Sequence, residues 1–440
     1  MTTLELLQRS IDYIENNLKS ELTLAELAEV TGFSTYHFSH LFYDFVGMPV
    51  SAYITKRRLY CAIFEIQNSK KLIDTALLYG YDTHAGFYKA FKREFGCSPT
   101  KYLKINTVKR SVQVNLIKEG KIVLTQTRVR QLLKQWDIDN KLEISSTFTA
   151  GGAFKNKDTW KIGDKYVFKT GKNISGLKTH IAISRTLQKS GMVAASPITT
   201  KNGDDFIIED DSFFVLTNQI KGGFLPPDKR YDGDRFEIGK KYGNAIGRLH
   251  KILQKYDKQL EVNDSNLFNT VMDWAMPETK KIMEQWDCPL PEEFYEDYIK
   301  NFSKLYKELP RHIIHRDANP SNIMFDNGEF TGFIDFNISE RNVRIFDPCY
   351  CATGILSEAG DFHDCFENWS ELLAGIINGY NLFCKLSDIE RQSIPYVIYS
   401  IQMIFIAWLV EHEVYKKTAL QNRRMLMWIW ENREKCFKGL

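Results

Sequence analysis

Apolar positions in the first hundred residues recur at helical spacing, and the arrangement occurs twice. Leu24, Leu27 and Ala28 make a stripe that ends at Gly32, and Phe38, Leu41 and Phe42 make another after Ser34. Further on, Ile73, Ala76 and Leu77 end at Gly80, and Phe87, Ala90 and Phe91 follow Asp82 or Thr83. The correspondence extends to Phe45, Gly47, Pro49 and Tyr53 in the first copy and Phe95, Gly96, Pro99 and Tyr102 in the second. Each copy reads as helix, tight turn, helix. Ala28 lets the second helix cross closely, and a glycine supplies the positive φ of the turn. Ser34, and either Asp82 or Thr83, cap the helix that follows. Pro49 to Asn68 predicts one long connecting helix that sets the spacing of the two copies.

Past the repeat the pattern changes. Residues 106–127 are irregular around the turn signal Glu119-Gly120 and read as a linker. Strand-like runs and more aromatic residues follow. Ile313, Ile314, Ile323, Met324 and Phe325 flank the loop His315-Arg316-Asp317-Ala318-Asn319-Pro320-Ser321-Asn322, and Gly332-Phe333-Ile334-Asp335-Phe336 comes next. An Asp and an Asn five residues apart, with a second Asp on the next strand, converge on a phosphate-bound metal. Asp317 then orients or deprotonates an acceptor hydroxyl, while Asn322 and Asp335 offer the hard oxygens that magnesium needs. Gln392 to Val410 carries no charge. Pro395, Ser400 and Gln402 within it favour a buried helix over a membrane span, which needs about 20 apolar residues.

Composition narrows the class of protein. A length of 440 residues accommodates two or three packed units, and 43% hydrophobic with 26% charged residues suits a globular chain. A net charge of +3 excludes a general basic coat for nucleic acid, so any DNA contact rests on local charge. The eight cysteines include no Cys-x-x-Cys pair and sit among apolar neighbours, as reduced thiols do. The N-terminus has no basic stretch followed by an apolar run. No secretion signal and no membrane partner are therefore expected, and a cytoplasmic location is.

The double unit resembles the AraC-type DNA-binding domain over residues 1–105, most closely in IDTALLYGYDTHAGFYKAFKREFGCSPTKY. The resemblance implies an all-α tandem helix-turn-helix domain whose two second helices enter successive major grooves of double-stranded DNA. Tyr36, Ser39, His40, His84, Tyr88 and Lys89 are the candidates for base edges or nearby phosphates. Lys92, Arg93, Arg57 and Arg58 are the candidates for neutralising phosphate. The local excess of positive charge is small, fourteen Lys and Arg against eleven Asp and Glu over residues 1–110.

Residues 128–440 resemble the aminoglycoside phosphotransferase and choline kinase family, relatives of the protein kinases, through the Asp317 loop and the strand that carries Asp335. The resemblance implies a multidomain protein with an α+β two-lobed protein-kinase-like domain, its N-lobe at 128–220 and its C-lobe at 221–440, using ATP and magnesium. Gly151-Gly152 is similar to the family's nucleotide loop, and Lys169 in Tyr166-Val167-Phe168-Lys169 to the lysine on the nucleotide phosphates. Phe214 to Ile220, including Gln219, is similar to the hinge that hydrogen-bonds adenine, and Asp347 to the Asp that braces the catalytic loop. The family also holds its strand lysine with a Glu on the next helix. Gly171 to Asn202 contains neither Asp nor Glu, and His180 stands near the expected place.

Two functions fit these residues. One is a sequence-specific transcription regulator that also phosphorylates a small hydroxyl compound. The other is a regulator whose catalytically inactive kinase-like domain senses a small-molecule effector or nucleotide. The acceptor is open as well. Trp369, Trp408, Trp428 and Trp430 with Glu411, Glu413 and Glu431 either build an aromatic, acidic pocket for a cationic amine or amino sugar, or are core aromatics at helical spacing. Arg341 and Arg344, just past Asp335, would select an anion instead.

Overall fold

Capping chemistry sets the boundaries of several helices in the N-terminal region. The computed structural model describes residues 3–68, 71–81, 83–95, 98–105, 126–146, 158–209, 212–358, 365–410 and 416–440, so most of the expected linker lies outside the described residues. Two units result, Met1–Gly163 and Asp164–Leu440. The first contains α1 (Thr3–Asn16), α2 (Leu24–Thr31), α3 (Thr35–Val46), α4 (Val50–Gln67), α5 (Leu72–Leu78), α6 (His84–Phe95), α7 (Pro99–Ile105) and α8 (Gln126–Leu132). Thr23 and Glu26 form a reciprocal capping box at the start of α2, and Gly32, at φ 73°, closes that helix. The Ser34 hydroxyl accepts the amide of His37 to begin α3, and Thr83 accepts that of Gly86 to begin α6. Phe38, Phe42, Phe87 and Phe91 are buried together with Leu7, Ile11, Tyr53 and Ile63.

One part of the apolar pattern misleads. Ile73 and Leu77 are 57% and 54% exposed, and Leu24 is exposed too, whereas Thr75 and Ala76 pack α5 against the core. Leu72, Ile73, Ala76, Leu77 and Leu78 are nearly continuous, so their spacing fits more than one face of a short helix. The first unit ends in the antiparallel strands β1 (Ile144–Ser146) and β2 (Thr159–Ile162).

The second unit opens with β3 (Tyr166–Gly171), α9 (Ile174–Lys189), β4 (Ile207–Glu209) and β5 (Ser212–Asn218), in which β3 and β4 flank β5 antiparallel. Then come α10 (Arg235–Lys255), β6 (Asn263–Asp264), short helical segments over 267–308, β7 (Arg311–Ile314), β8 (Ile323–Asp326), β9 (Glu329–Phe333) and β10 (Glu340–Val343). β8 and β9 form a hairpin turned by Asn327-Gly328, both at positive φ. β10 runs antiparallel to β7, so the loop 315–322 leaves one sheet and enters the hairpin. Helices α11 (Phe346–Glu358), α12 (Cys365–Phe383), α13 (Asp388–Val410) and α14 (Lys416–Glu431) follow, and the short α15 (Arg433–Cys436) comes last. Length and apolarity alone would let α13 cross a membrane, but 67% of its apolar window is buried, with Ile394, Ile398 and Ile406 in the core.

α10 and α12 cross through glycines. A Cβ on Gly243 would lie 2.0 Å from the carbonyl oxygen of Ile376, and one on Gly375 would lie 2.1 Å from that of Phe236. Both obstacles are backbone, so neither can swing aside. Gly243→Ala should therefore destabilise the second unit by about 1–3 kcal/mol or more. Helix propensity alone predicts the opposite sign, a gain near 1 kcal/mol. Urea unfolding followed by tryptophan fluorescence distinguishes the two, and a higher midpoint in the variant would mean that the crossing is looser than this.

Candidate functional site

The first candidate surface is the pair of second helices in the repeat. Tyr36 on α3 is 74% exposed and lies against His40, with ring centroids 4.3 Å apart. His40 Nδ1 donates to the Tyr36 carbonyl at 3.0 Å, which leaves Nε2 for an outside partner. The second copy has the same pair in reverse order, His84 against Tyr88 at 4.5 Å. His84, Lys89, Lys92 and Arg93 are exposed, while Ser39 and Tyr88 are half-buried. The Tyr88 hydroxyl bonds Thr100 Oγ1 at 2.8 Å, anchoring α6 to α7.

Arg57 and Arg58 do not join this surface. Arg57 is 2% exposed and grips Glu15 through two bonds, Nε to Oε1 at 2.6 Å and a terminal nitrogen to Oε2 at 2.8 Å. Tyr53 adds its hydroxyl to the same carboxylate at 3.0 Å. Arg58 donates to the Leu18 and Ser20 carbonyls beyond the end of α1. Both arginines therefore hold α1 to α4 rather than reach for phosphate. The cause is α1 and the turn that follows it, which supply acceptors from more than thirty residues upstream.

The second candidate site lies in the second unit, around the loop 315–322. Asn322 donates its side-chain amide to the Asp317 carbonyl and to Asp317 Oδ2, each at 2.9 Å, so its own oxygen remains for a cation. Tyr350 on α11 donates its hydroxyl to Asp317 Oδ1 at 2.9 Å. Asp335 accepts from the Asn337 side chain on Oδ1, and Lys169 Nζ on β3 stands 3.7 Å from Oδ2. Arg316 and Asp335 both have left-handed backbone, φ 70° and 67°, a conformation that costs about 1–3 kcal/mol for a residue with a side chain. Two such positions beside the same carboxylates mark the loop as built for placement. One amide oxygen and one carboxylate suit magnesium, which takes few protein ligands and fills its octahedron with phosphate oxygens and water.

Asp347 braces this loop as the resemblance implies. It is fully buried and accepts the amides of His315 at 2.7 Å and Arg316 at 3.0 Å, together with His250 Nε2 at 2.8 Å. Burial alone would raise its pKa, but the His250 bond and charge outweigh that and hold the carboxyl below its ordinary value. His250 in turn bonds the Tyr380 hydroxyl at 2.9 Å, so the α10–α12 crossing reaches the loop through Tyr380, His250 and Asp347. His315 Nε2 donates to the Ile334 carbonyl at 2.9 Å, tying the loop to the residue before Asp335.

His180 takes the place of the expected acid. Its Nδ1 accepts the Phe336 amide at 3.2 Å, so Nε2 carries the proton and donates to the Ala195 carbonyl at 2.8 Å. The neutral ring links α9 to the residue after Asp335. Burial, then the charge of Lys169, pushes its pKa down to about 4 from 6.5. Between those values the unfolded chain binds the proton and the native state does not, so stability falls as pH drops from 6.5 to about 4. The part due to His180 is of order 3 kcal/mol. Urea midpoints at pH 7 and 5 should diverge more in the wild type than in His180→Gln. Equal divergence would mean that the imidazole is not held neutral.

Several expected residues are placed elsewhere. Gly151, Gly152, Glu411 and Glu413 lie outside the described residues. The backbone N–H of Gln219 donates to the Lys165 carbonyl at 2.8 Å, while its side-chain oxygen is buried and takes no hydrogen bond from the described residues. Trp369 is buried and donates to the Ala352 carbonyl, and Trp428 and Trp430 are partly buried against the core. Arg341 pairs with Asp257 and Arg344 with Glu390, which removes both as selectors of an anion. Tyr350 and the bonding of His180 escaped the sequence reading. The acid-free stretch around His180 was the one available signal.

Both regions of the chain have counterparts among known proteins. Residues 27–105 match the family described as helix-turn-helix domain, and residues 175–390 match the phosphotransferase enzyme family. The HTH-type transcriptional activator AarP of Providencia stuartii is 38% identical over 91 residues, which cover 20% of this chain and 67% of that protein. The putative HTH-type transcriptional regulator YkgA of Escherichia coli is 34% identical over 99 residues, 22% of this chain and 41% of that one, so less than half of that relative is spanned. An amicoumacin kinase solved with AMP-PNP, Ca2+ and Ami shares the fold, with TM-score 0.50 and 17% identity over 72% of this chain and 96% of that chain.

Proposed function

This chain belongs to the AraC-type helix-turn-helix regulators over residues 27–105 and to the phosphotransferase enzyme family over residues 175–390, and on that premise we propose that it is a DNA-binding regulator that phosphorylates a small hydroxyl compound with ATP. The carrying observation is the joined set of Asp317, Asn322 and Asp335 with Lys169 beside it. Asn322 and Asp335 hold magnesium, which neutralises charge on the phosphates when bound. Lys169 turns from Asp335 to the nucleotide, and Asp317 takes the proton of the acceptor hydroxyl. The nucleotide analogue and divalent cation in the amicoumacin kinase support this assignment. In the first unit, α3 and α6 enter successive major grooves about 10 base pairs apart. Tyr36, Ser39, His40, His84, Tyr88 and Lys89 face bases or phosphates there, and the protein works in the cytoplasm.

A second reading, a sensor without turnover, is favoured by one observation. Lys169 has Asp335 itself as its acidic neighbour, and His180 is bonded elsewhere. Calorimetry of the full chain with AMP-PNP and magnesium tests the common premise: binding should require the metal and disappear in Asp335→Ala. A folded wild type that binds no nucleotide refutes phosphoryl transfer and nucleotide sensing alike, and leaves only a sensor of another small molecule. Operator affinity with and without nucleotide then measures coupling, expected at about 1–3 kcal/mol. Lys89→Ala should weaken operator binding more than random-sequence binding, by about 1–3 kcal/mol. An equal loss on all duplexes would reassign Lys89 to phosphate.

A further inference from the structure

Asp317 stands at the edge of an aromatic column. The ring of Tyr350, whose hydroxyl reaches Asp317, is stacked with Phe346, at 5.6 Å and 20°, and with Phe405 of α13, at 5.8 Å and 27°. Phe346 is buried beneath the Arg316 guanidinium, 4.3 Å from its ring centroid, so that end of the column is closed. At the other end Phe405 is half-buried, and Trp408, three residues further along α13, is 47% exposed. No charged residue occurs on α13 from Gln392 to Val410. The Tyr350 phenol stays protonated, because burial first and the Asp317 carboxylate second push its pKa far above the ordinary value.

This surface is ill suited to a polycation. Cation–π attraction needs a free ring face, and the Tyr350 ring already packs near-parallel against Phe346 and Phe405. A further aromatic ring adds to such a column edge-on or offset, the arrangements that ring quadrupoles favour. Asp317, the carboxylate at this surface, is already engaged by Asn322 and Tyr350, and the 392–410 stretch of α13 offers an ammonium no other. Resting on the phosphotransferase reading of the site, we infer that the acceptor is an uncharged alcohol bearing an aromatic or flat apolar ring, not a polycationic amino sugar. Its ring packs against Tyr350 and Phe405, and its hydroxyl meets Asp317. Transfer then balances: the hydroxyl proton passes to Asp317 and the acceptor oxygen bonds the γ-phosphorus. The bond from that phosphorus to the β,γ-bridging oxygen breaks, and its electron pair leaves with ADP.

The test is calorimetry on the full chain with 2-phenylethanol, 2-naphthylethanol and kanamycin, beside a separate titration with AMP-PNP and magnesium. The aryl alcohols should bind at least tenfold more tightly than kanamycin. Phe405→Ala should weaken the aryl alcohols roughly fivefold, with Phe405→Leu intermediate and AMP-PNP affinity unchanged in both. With ATP, labelled phosphate should appear on the aryl alcohol. Kanamycin binding as well or better, no aryl-alcohol binding, or indifference to Phe405 overturns the inference. The AMP-PNP titration reports independently on the phosphotransferase reading, so failure of one does not hide failure of the other.

Discussion

Asp317→Asn is expected to lower phosphoryl transfer by about 10²–10⁴-fold, the usual contribution of a positioned proton acceptor, and to leave AMP-PNP affinity nearly unchanged. The split follows from what the residue touches. Asp317 is held by Tyr350 and by the amide nitrogen of Asn322, whose oxygen is the atom proposed for the metal, while Lys169, proposed for the nucleotide, stands beside Asp335. Asparagine keeps the size of the side chain and an oxygen to accept from Asn322, but it cannot take a proton at neutral pH. Turnover with the best acceptor and calorimetry with AMP-PNP should be measured on the same preparation. Retained transfer would remove Asp317 as the base. A wild type with no transfer to begin with, but with nucleotide-dependent operator affinity that survives the substitution, would establish the sensor.

The second large effect is expected far from the chemistry. Arg57→Ala should destabilise the first unit by about 3–5 kcal/mol, because it leaves the Glu15 carboxylate mostly buried and without its doubly bonded partner. Against a domain stability of about 5–15 kcal/mol, that is a severe loss. Urea unfolding of the full chain measures it, and Arg57→Lys should fall between, since an ammonium cannot reproduce the paired geometry. The same variants decide whether Arg57 touches DNA. In folded protein the slope of log affinity against log salt should be unchanged by Arg57→Lys, whereas Lys92→Ala should make it shallower by about one. A shallower slope in Arg57→Lys would return the residue to the phosphate contacts.

These cases show where sequence reading succeeds. The repeat was legible because its signals are local: the Gly32 turn, the Ser34 and Thr83 caps and the connecting helix α4 each depend on residues within a few positions of one another. The Asp317 loop was legible for the same reason, since Asn322 is five residues from Asp317 and bonds it directly. Asp347 lies farther off, yet its place was readable through the family pattern.

What stayed hidden depends on partners distant in the chain. Arg57 reads as a free cation until Glu15 of α1 meets it, and Arg341 and Arg344 until Asp257 and Glu390 do. Gly243 is an unremarked helical glycine until Ile376 crosses it, and Tyr350 is one more apolar-helix aromatic until its hydroxyl reaches Asp317. The physical reason is common to all of them. Helical period, caps and loop ligands are decided by the chain's own geometry over one or two turns, so composition at fixed offsets determines them. The fate of a charge, a ring or a missing Cβ is decided by which backbone or carboxylate packing brings alongside, and no spacing along the chain encodes that neighbour.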